Sequence, residues 1–477
     1  MTSTQTPPAA VRDDTPPSAR TGLSTRHILF VIVAAAAPLS AMVGTVPLAF
    51  ASGNGAGVPA AFTVAGLILL CFSTGYTVST RRTGGNGGFY ASVADGLGRA
   101  PAVGVGYVAL IAYNCATIGI AGALGYFTHL VLAAHGINVS WALCAAVGIA
   151  LTAVLGYRDI GVSARLLALL MACEIGVLLV LDIAVLGRHG THALPAASFS
   201  ASEVTGPGLG VSLMFAFVSF IGFESAALYG NEARNPRRSV PRAMLGAVVL
   251  ITGFYALTSW LAVGAIGSGT VRTAASEQMG NLFFNLGDDY LGSAGGTCLQ
   301  VMLCTSMFAA LLALHSATNR YTQVIAADGL LPRDLGALHT RHHSPHRASV
   351  VQSVVNALAV TLALVAGLDP YADFAAVTLG LGTLGIVVLQ ALAALSVLGL
   401  RRKGVAHGTW RGLVAPLLAV VGLGASVWLI VYNFDLVTGS RSAFVGDLPW
   451  LFPVVFAGGL VYARRTGRGL ASNTFDR

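Results

Sequence analysis

Apolar stretches close to the roughly 20 residues a helix needs to cross a bilayer recur along this entire chain, and no other feature limits its fold so strongly. They fall near residues 27–50, 58–80, 102–134, 139–157, 164–187, 208–231, 243–265, 293–316, 348–367, 372–400, 412–434 and 448–465. The alternating strands of an outer-membrane barrel, about ten residues each, do not occur. The pattern therefore predicts an all-α polytopic membrane protein with about twelve transmembrane helices. Composition points the same way. Of 477 residues 55% are hydrophobic and 10% charged, against a charged share of about 25% in soluble domains.

A net charge of +8 would suit a nucleic-acid partner if it formed one patch, but it alternates along the chain. Of 27 lysines and arginines, 24 lie in the N-terminal tail, the loops after even-numbered spans, or the C-terminal tail; only Arg188, Arg272 and Arg441 remain for the opposite face. By the positive-inside rule this predicts an even number of spans with both termini in the cytoplasm. The charge is a topology signal, and no nucleic acid is expected. Residues 1–26 are rich in Pro, Thr and Ser and lack an apolar run, so they read as a disordered cytoplasmic tail rather than a signal peptide. Residues 466–477 read as a second cytoplasmic tail. The six cysteines all sit inside apolar segments without paired spacing, which argues against disulfides and zinc.

Two spans carry signs of interruption, which frees backbone groups to hold a substrate or an ion. The first, HILFVIVAAAAPLSAMVGTVPLAF, sets Pro38, Gly44 and Pro47 around Ser40 and Thr45; the sixth sets Gly222 beside Glu224 and Ser225. Spans one and six are five apart, the spacing expected of two five-helix halves in opposite orientation. Those halves are residues 27–187 and 208–400, with 412–465 as two further helices.

Ionisable residues inside spans are functional by default. Glu224 is read as a group that senses or carries charge, with a structural carboxylate bonded to freed backbone as the alternative. Glu174 and Asp182, eight apart in span five, share one helical face. Asn114, His129 and His315 read as packing or network residues. The loop HTRHHSPH, with His339, His342, His343 and His346, has no carboxylate or cysteine beside it and reads as a solvated basic loop in preference to a zinc site. No HExxH, GxSxG or Walker pattern occurs, which leaves an enzyme as a distant rival. Isolated polar residues instead of repeated rings argue against a passive channel. No cofactor is expected.

Four segments together carry a resemblance. GGNGGFYASVADGLGR (Gly84 to Arg99) follows span two; SFIGFESA runs into NEARNPRRSVPRA (Ser219 to Ala243); NRYTQVIAADGLLP (Asn319 to Pro332) follows span eight; span one adds a weaker match. The chain resembles amino acid permeases of the amino acid–polyamine–organocation (APC) superfamily. That resemblance implies a LeuT-like fold, a 5+5 inverted repeat with helices one and six broken, and transport of amino acids or amines across the plasma membrane by alternating access. It further implies a substrate site at Val43, Gly44, Thr45, Phe220, Gly222, Phe223 and Glu224, with the carboxylate held at the Gly44-Thr45-Val46 run. Coupling would fall to Glu224 and Glu174, the latter where several relatives carry a lysine in place of sodium. Thr305 and Ser306 are candidate sodium ligands, against the alternative of hydroxyls bonded to their own helix. Either a proton or sodium would be the coupling partner.

Overall fold

The computed structural model describes residues 24–83, 87–158, 164–224, 233–342, 344–434 and 443–466. The outer parts of both tails, Gly84, Ser225, His343 and Arg441 lie outside the described residues. The chain begins with α1 (Thr25–Ala35) and α2 (Pro38–Ser52), separated by Ala36 and Ala37. Then come α3 (Val58–Thr83), the short α4 (Gly88–Leu97), α5 (Arg99–Ala134), α6 (Trp141–Arg158) and α7 (Ala164–His189). After the one-turn α8 (Ala201–Val204), α9 (Leu209–Ser219) ends at a turn, and α10 (Pro236–Ile266) and α11 (Val271–Gln278) follow. The remainder is α12 (Leu282–Ala327, bent at Gly292), α13 (His346–Val365), α14 (Ala376–Arg402), α15 (Ala415–Tyr432), α16 (Ala443–Asp447) and α17 (Leu451–Thr466).

Among the described residues ten helices are long and apolar enough to cross a membrane, while α2 and α9 are apolar but shorter. The protein is thus an all-helical, multi-pass membrane protein. The helices differ in what they face. On α6, Leu143, Val147, Leu151 and Val154 are exposed in one stripe, the spacing of a single helix face, as suits a surface turned to lipid. On α2 every residue from Pro38 to Phe50 is buried. A helix apolar all round and covered all round lies in the middle of a bundle, and α2 is packed by α9, α10, α11, α12 and α7.

Two of the motif segments meet at one corner. α4 carries the glycine-rich motif and packs into the bundle with Phe89 and Tyr90 buried. The Tyr90 hydroxyl donates to Asp328 at 2.8 Å, and the Tyr321 hydroxyl accepts from the Phe89 amide at 3.3 Å. Tyr321 and Asp328 belong to the motif after span eight. On the other side of α4, Gly96 lies against Gly399 of α14, so close that a Cβ at Gly96 would sit 2.1 Å from the Ser396 carbonyl oxygen. Small residues permit such backbone contact between membrane helices.

Candidate substrate and coupling site

The first interruption is at Ala36 and Ala37. Pro38 opens α2, and its ring disfavours the helical conformation in the residue before it. Ala37 adopts φ 45°, ψ 73°, a left-handed conformation that a non-glycine residue takes up only under constraint; the proline alone would favour an extended one. The sequence reading placed this break at Gly44-Thr45-Val46, and the structure corrects it. Val43, Gly44 and Thr45 lie inside continuous α2, where Pro47 is also tolerated. Backbone amides in a helix interior are taken up by the turn before, so these residues present no anion-binding turn.

Side chains from other helices complete the break. The Tyr255 hydroxyl of α10 donates to the Ala36 carbonyl at 3.2 Å. At the head of α2 the backbone of Leu39 faces the Glu174 carboxylate of α7. Ser40 donates through its amide and its hydroxyl to Ser306 Oγ of α12, at 3.4 and 2.9 Å. Ser306 Oγ in turn donates to Glu174 Oε2 at 2.7 Å. A buried carboxylate and a buried hydroxyl thus hold the positive end of a helix. Thr305 is elsewhere, its hydroxyl donating to Met302 of its own helix at 2.8 Å.

The second interruption follows α9. The helix tightens through Phe220 and Ile221, whose amides bond three residues back, and Gly222 takes φ 109°, which glycine alone adopts freely. Glu224 folds back so that its Oε2 accepts from the Gly222 amide at 3.1 Å, while its Oε1 accepts from the Tyr113 hydroxyl of α5 at 2.7 Å. Glu224 is 4% exposed. α2 is tied to the end of α9 by a hydrogen bond between the Thr45 and Ser219 hydroxyls at 2.9 Å.

Between them lies a cavity of about 40 Å³ lined by residues of α2, α5, α9, α12 and α14 and of the two turns. Ala36, Ala37, Ser40, Thr45 and Ser219 form its polar side. Of the seven expected substrate residues, Thr45 is on this lining; Phe220, Gly222, Phe223 and Glu224 belong to the adjoining turn; Val43 and Gly44 are buried off the cavity. An aromatic layer lies on each side. Nearer the arginine-poor face, Tyr126 and Tyr371 stack 4.9 Å apart, Phe127 meets Tyr371 edge-on at 5.2 Å, and the Tyr371 hydroxyl donates to the Gly44 carbonyl at 3.1 Å. Nearer the arginine-rich face, Tyr113 stacks on Tyr321 at 4.9 Å, and Phe72 packs edge-on to Phe223 at 6.2 Å.

The remaining candidates fall outside this site. Asp182 Oδ2 accepts from the Thr258 hydroxyl at 2.7 Å, and His315 Nε2 is 2.8 Å from Ser349 Oγ. Asn114 donates to Leu110 of its own helix. His339 lies with its ring 4.8 Å from that of His342 and 5.1 Å from that of His346. No group of three or more metal-ligating side chains is arranged to hold an ion among the described residues. The sequence reading missed Tyr113, Tyr255 and the outer aromatic layer, because contacts between distant helices leave no local pattern. The alanine before Pro38 was the one available sign of the break.

A membrane bundle with interrupted helices around a central cavity is the architecture of a secondary transporter. The chain matches the amino acid permease family over residues 23–459 and belongs to it, a family of transporters and not of enzymes. It is 29% identical over 382 residues to an uncharacterized transporter of Mycobacterium tuberculosis, covering 79% of this chain and 78% of that one. It is 24% identical over 279 residues to the branched-chain amino acid permease BcaP of Lactococcus lactis, covering 57% and 56%. To the aromatic amino acid permease FywP of the same organism it is 26% identical over 282 residues, covering 57% and 59%. Its fold is that of MhsT, solved with L-phenylalanine, at a TM-score of 0.54 and 15% identity over 85% of this chain and 98% of that one.

Proposed function

We propose that the protein is a proton-coupled or exchanging carrier of amino acids in the plasma membrane, working by alternating access. The observation that carries this is a small cavity bounded by both helix interruptions and set between two aromatic layers. About 40 Å³ is room for roughly three waters, so an amino acid enters only if one layer parts. α1 with α2 counts as one interrupted span and α9 with the turn after it as another, which makes twelve in two inverted halves plus two. The positive-inside rule puts the arginine-rich face and both termini in the cytoplasm.

The geometry also supports a coupling scheme. The amides at the head of α2 are the natural seat for a substrate carboxylate, and Glu174 and Ser306 occupy them here. A carboxylate arriving at the same amides displaces Glu174, whose charge then lies buried without its donor and favours taking a proton. Ser306 takes part in this exchange and Thr305 does not. Glu224 guards the other interruption, where protonation weakens its hold on Tyr113 and Gly222. Both of its oxygens already have donors, which leaves little to attract an amine substrate and places an amine or polyamine carrier second. Reconstitution into proteoliposomes tests the reading. Saturable, stereoselective uptake of an L-amino acid raised by an inward proton gradient is expected. Competition by an amine and not by its parent amino acid would overturn it.

A further inference from the structure

The cavity has two chemically different ends, and the second says what kind of side chain it accepts. Opposite the polar turn stand Ile120 of α5, Val218 of α9, Ile221 of the second turn, Ala310 and Leu314 of α12, and Leu379 of α14. None carries a charge or a side-chain hydrogen-bonding group. The two carboxylates nearest the site are occupied, Glu174 by Ser306 and Glu224 by Tyr113 and Gly222. The protons of the Thr45 and Ser219 hydroxyls are taken up within this pair, one by the partner hydroxyl and the other by a carbonyl of its own helix.

We propose that this site selects amino acids with uncharged aliphatic side chains, and that Ala310, facing the cavity from α12, sets the largest side chain admitted; the inference rests on the amino acid carrier reading above. A cationic or acidic side chain at the apolar end would be buried without a partner, which is strongly unfavourable. An amide side chain would leave its donors unpaired there. Aromatic rings are excluded by size. Leu314 and Leu379 narrow the apolar end, so the added volume of a ring is disfavoured there. Ala310 is 5% exposed, the smallest side chain on the apolar wall, and so the point where added bulk is felt first. In an apolar pocket one methylene discriminates by about 10- to 200-fold.

The test uses the full chain in proteoliposomes with radiolabelled L-leucine and L-alanine, competed by L-valine, L-phenylalanine, L-arginine, L-glutamate and isoamylamine. For the wild type we expect saturable leucine uptake inhibited by valine and unaffected by a hundredfold excess of arginine, glutamate or phenylalanine. Ala310→Val should lower kcat/KM for leucine at least tenfold more than for alanine. Leu379→Ala should admit phenylalanine as a competitor, and it serves as the second variant should Ala310→Val not fold. If arginine, glutamate or phenylalanine is carried in preference to leucine, or if both variants keep the wild-type ranking, the proposed specificity is overturned while the carrier reading stands. If folded wild-type protein carries none of these amino acids, the carrier reading itself falls and the specificity with it.

Discussion

At the first interruption the turn is made by an alanine and its polar groups are met from other helices; at the second it is made by a glycine and its carboxylate folds back from two residues away. Ala37 is left-handed immediately before Pro38, and the partners of Ala36 and Ser40 come from α10 and α12. Gly222 takes its φ of 109° without strain, and its amide is met by Glu224 of the same turn. The first break therefore reports the position of several helices at once, as coupling requires. The second is nearly self-contained, fastened to the bundle through Tyr113 and through the Thr45–Ser219 pair. The proposal of ion coupling at the first and gating at the second builds on this contrast, and each half of it can be broken.

The largest effect is expected at Glu224. Glu224→Ala removes the acceptor of the buried Tyr113 hydroxyl, at about 1–3 kcal/mol, and should lower the thermal unfolding temperature of the detergent-solubilised protein. Glu224→Gln keeps an oxygen for one donor but cannot ionise. It should fold, with turnover reduced about tenfold or more and a flattened pH profile of uptake. A wild-type pH profile in the Gln variant would make the carboxylate structural and remove the gating role.

At the first break the expected loss is of coupling more than of stability. Glu174→Gln retains an acceptor for Ser306, so the head of α2 stays in place. Uptake driven by a proton gradient should collapse while exchange of internal for external substrate continues. Uptake independent of sodium is expected in the wild type. Were uptake to rise with sodium and to lose that dependence in Ser306→Ala, the ion site would be right in place and wrong in ion. Thr305→Ala should change stability by less than about 0.5 kcal/mol, since its hydroxyl serves only its own helix.

These residues also show how far the sequence could be read. Most long helices lie within a few residues of the apolar stretches that predict them, because the bilayer sets the length of the apolar part; α12 (Leu282–Ala327) runs well past residues 293–316 at both ends. Glu224 stood out for the same reason, an ionisable group inside a span. The first break was misplaced by several residues. Gly44 and Pro47 are strong local signals, yet in α2 the packing of neighbouring helices on every side keeps the chain helical through both. The quieter Ala37–Pro38 step is the place where Tyr255, Glu174 and Ser306 converge. That convergence is tertiary, and it was legible only as three unconnected polar residues in spans five, seven and eight. The same holds for Tyr113, whose role depends on Glu224 lying 111 positions away.

A smaller effect is expected where α2 meets the end of α9. Thr45 and Ser219 share one buried hydrogen bond; one of the two hydroxyls donates it, and the other donates to a carbonyl of its own helix. A double-mutant cycle with Thr45→Val and Ser219→Ala should give a coupling energy of about 0.5–1.5 kcal/mol in thermal unfolding. Additive single effects would mean that the breaks are independent, and a substrate acting on one would then have no direct route to the other.

The smallest change is the most pointed. Replacing Ala37 by Gly removes a Cβ from a left-handed residue, which relieves about 1–2 kcal/mol, while glycine's greater freedom in the unfolded chain returns about 0.5–1 kcal/mol. The net gain is small, on the order of 0.5 kcal/mol, and a thermal shift assay should barely register it. Transport is the better reading of this variant. If the strain at Ala37 helps drive the first break out of the closed arrangement, Ala37→Gly deepens the closed state and slows turnover by about twofold for each 0.4 kcal/mol, with KM falling in step. The first break would then resemble the second, with a relaxed glycine at its turn. An unchanged turnover would show that the strain at Ala37 does not drive the first break, and that the two interruptions differ in their partners alone.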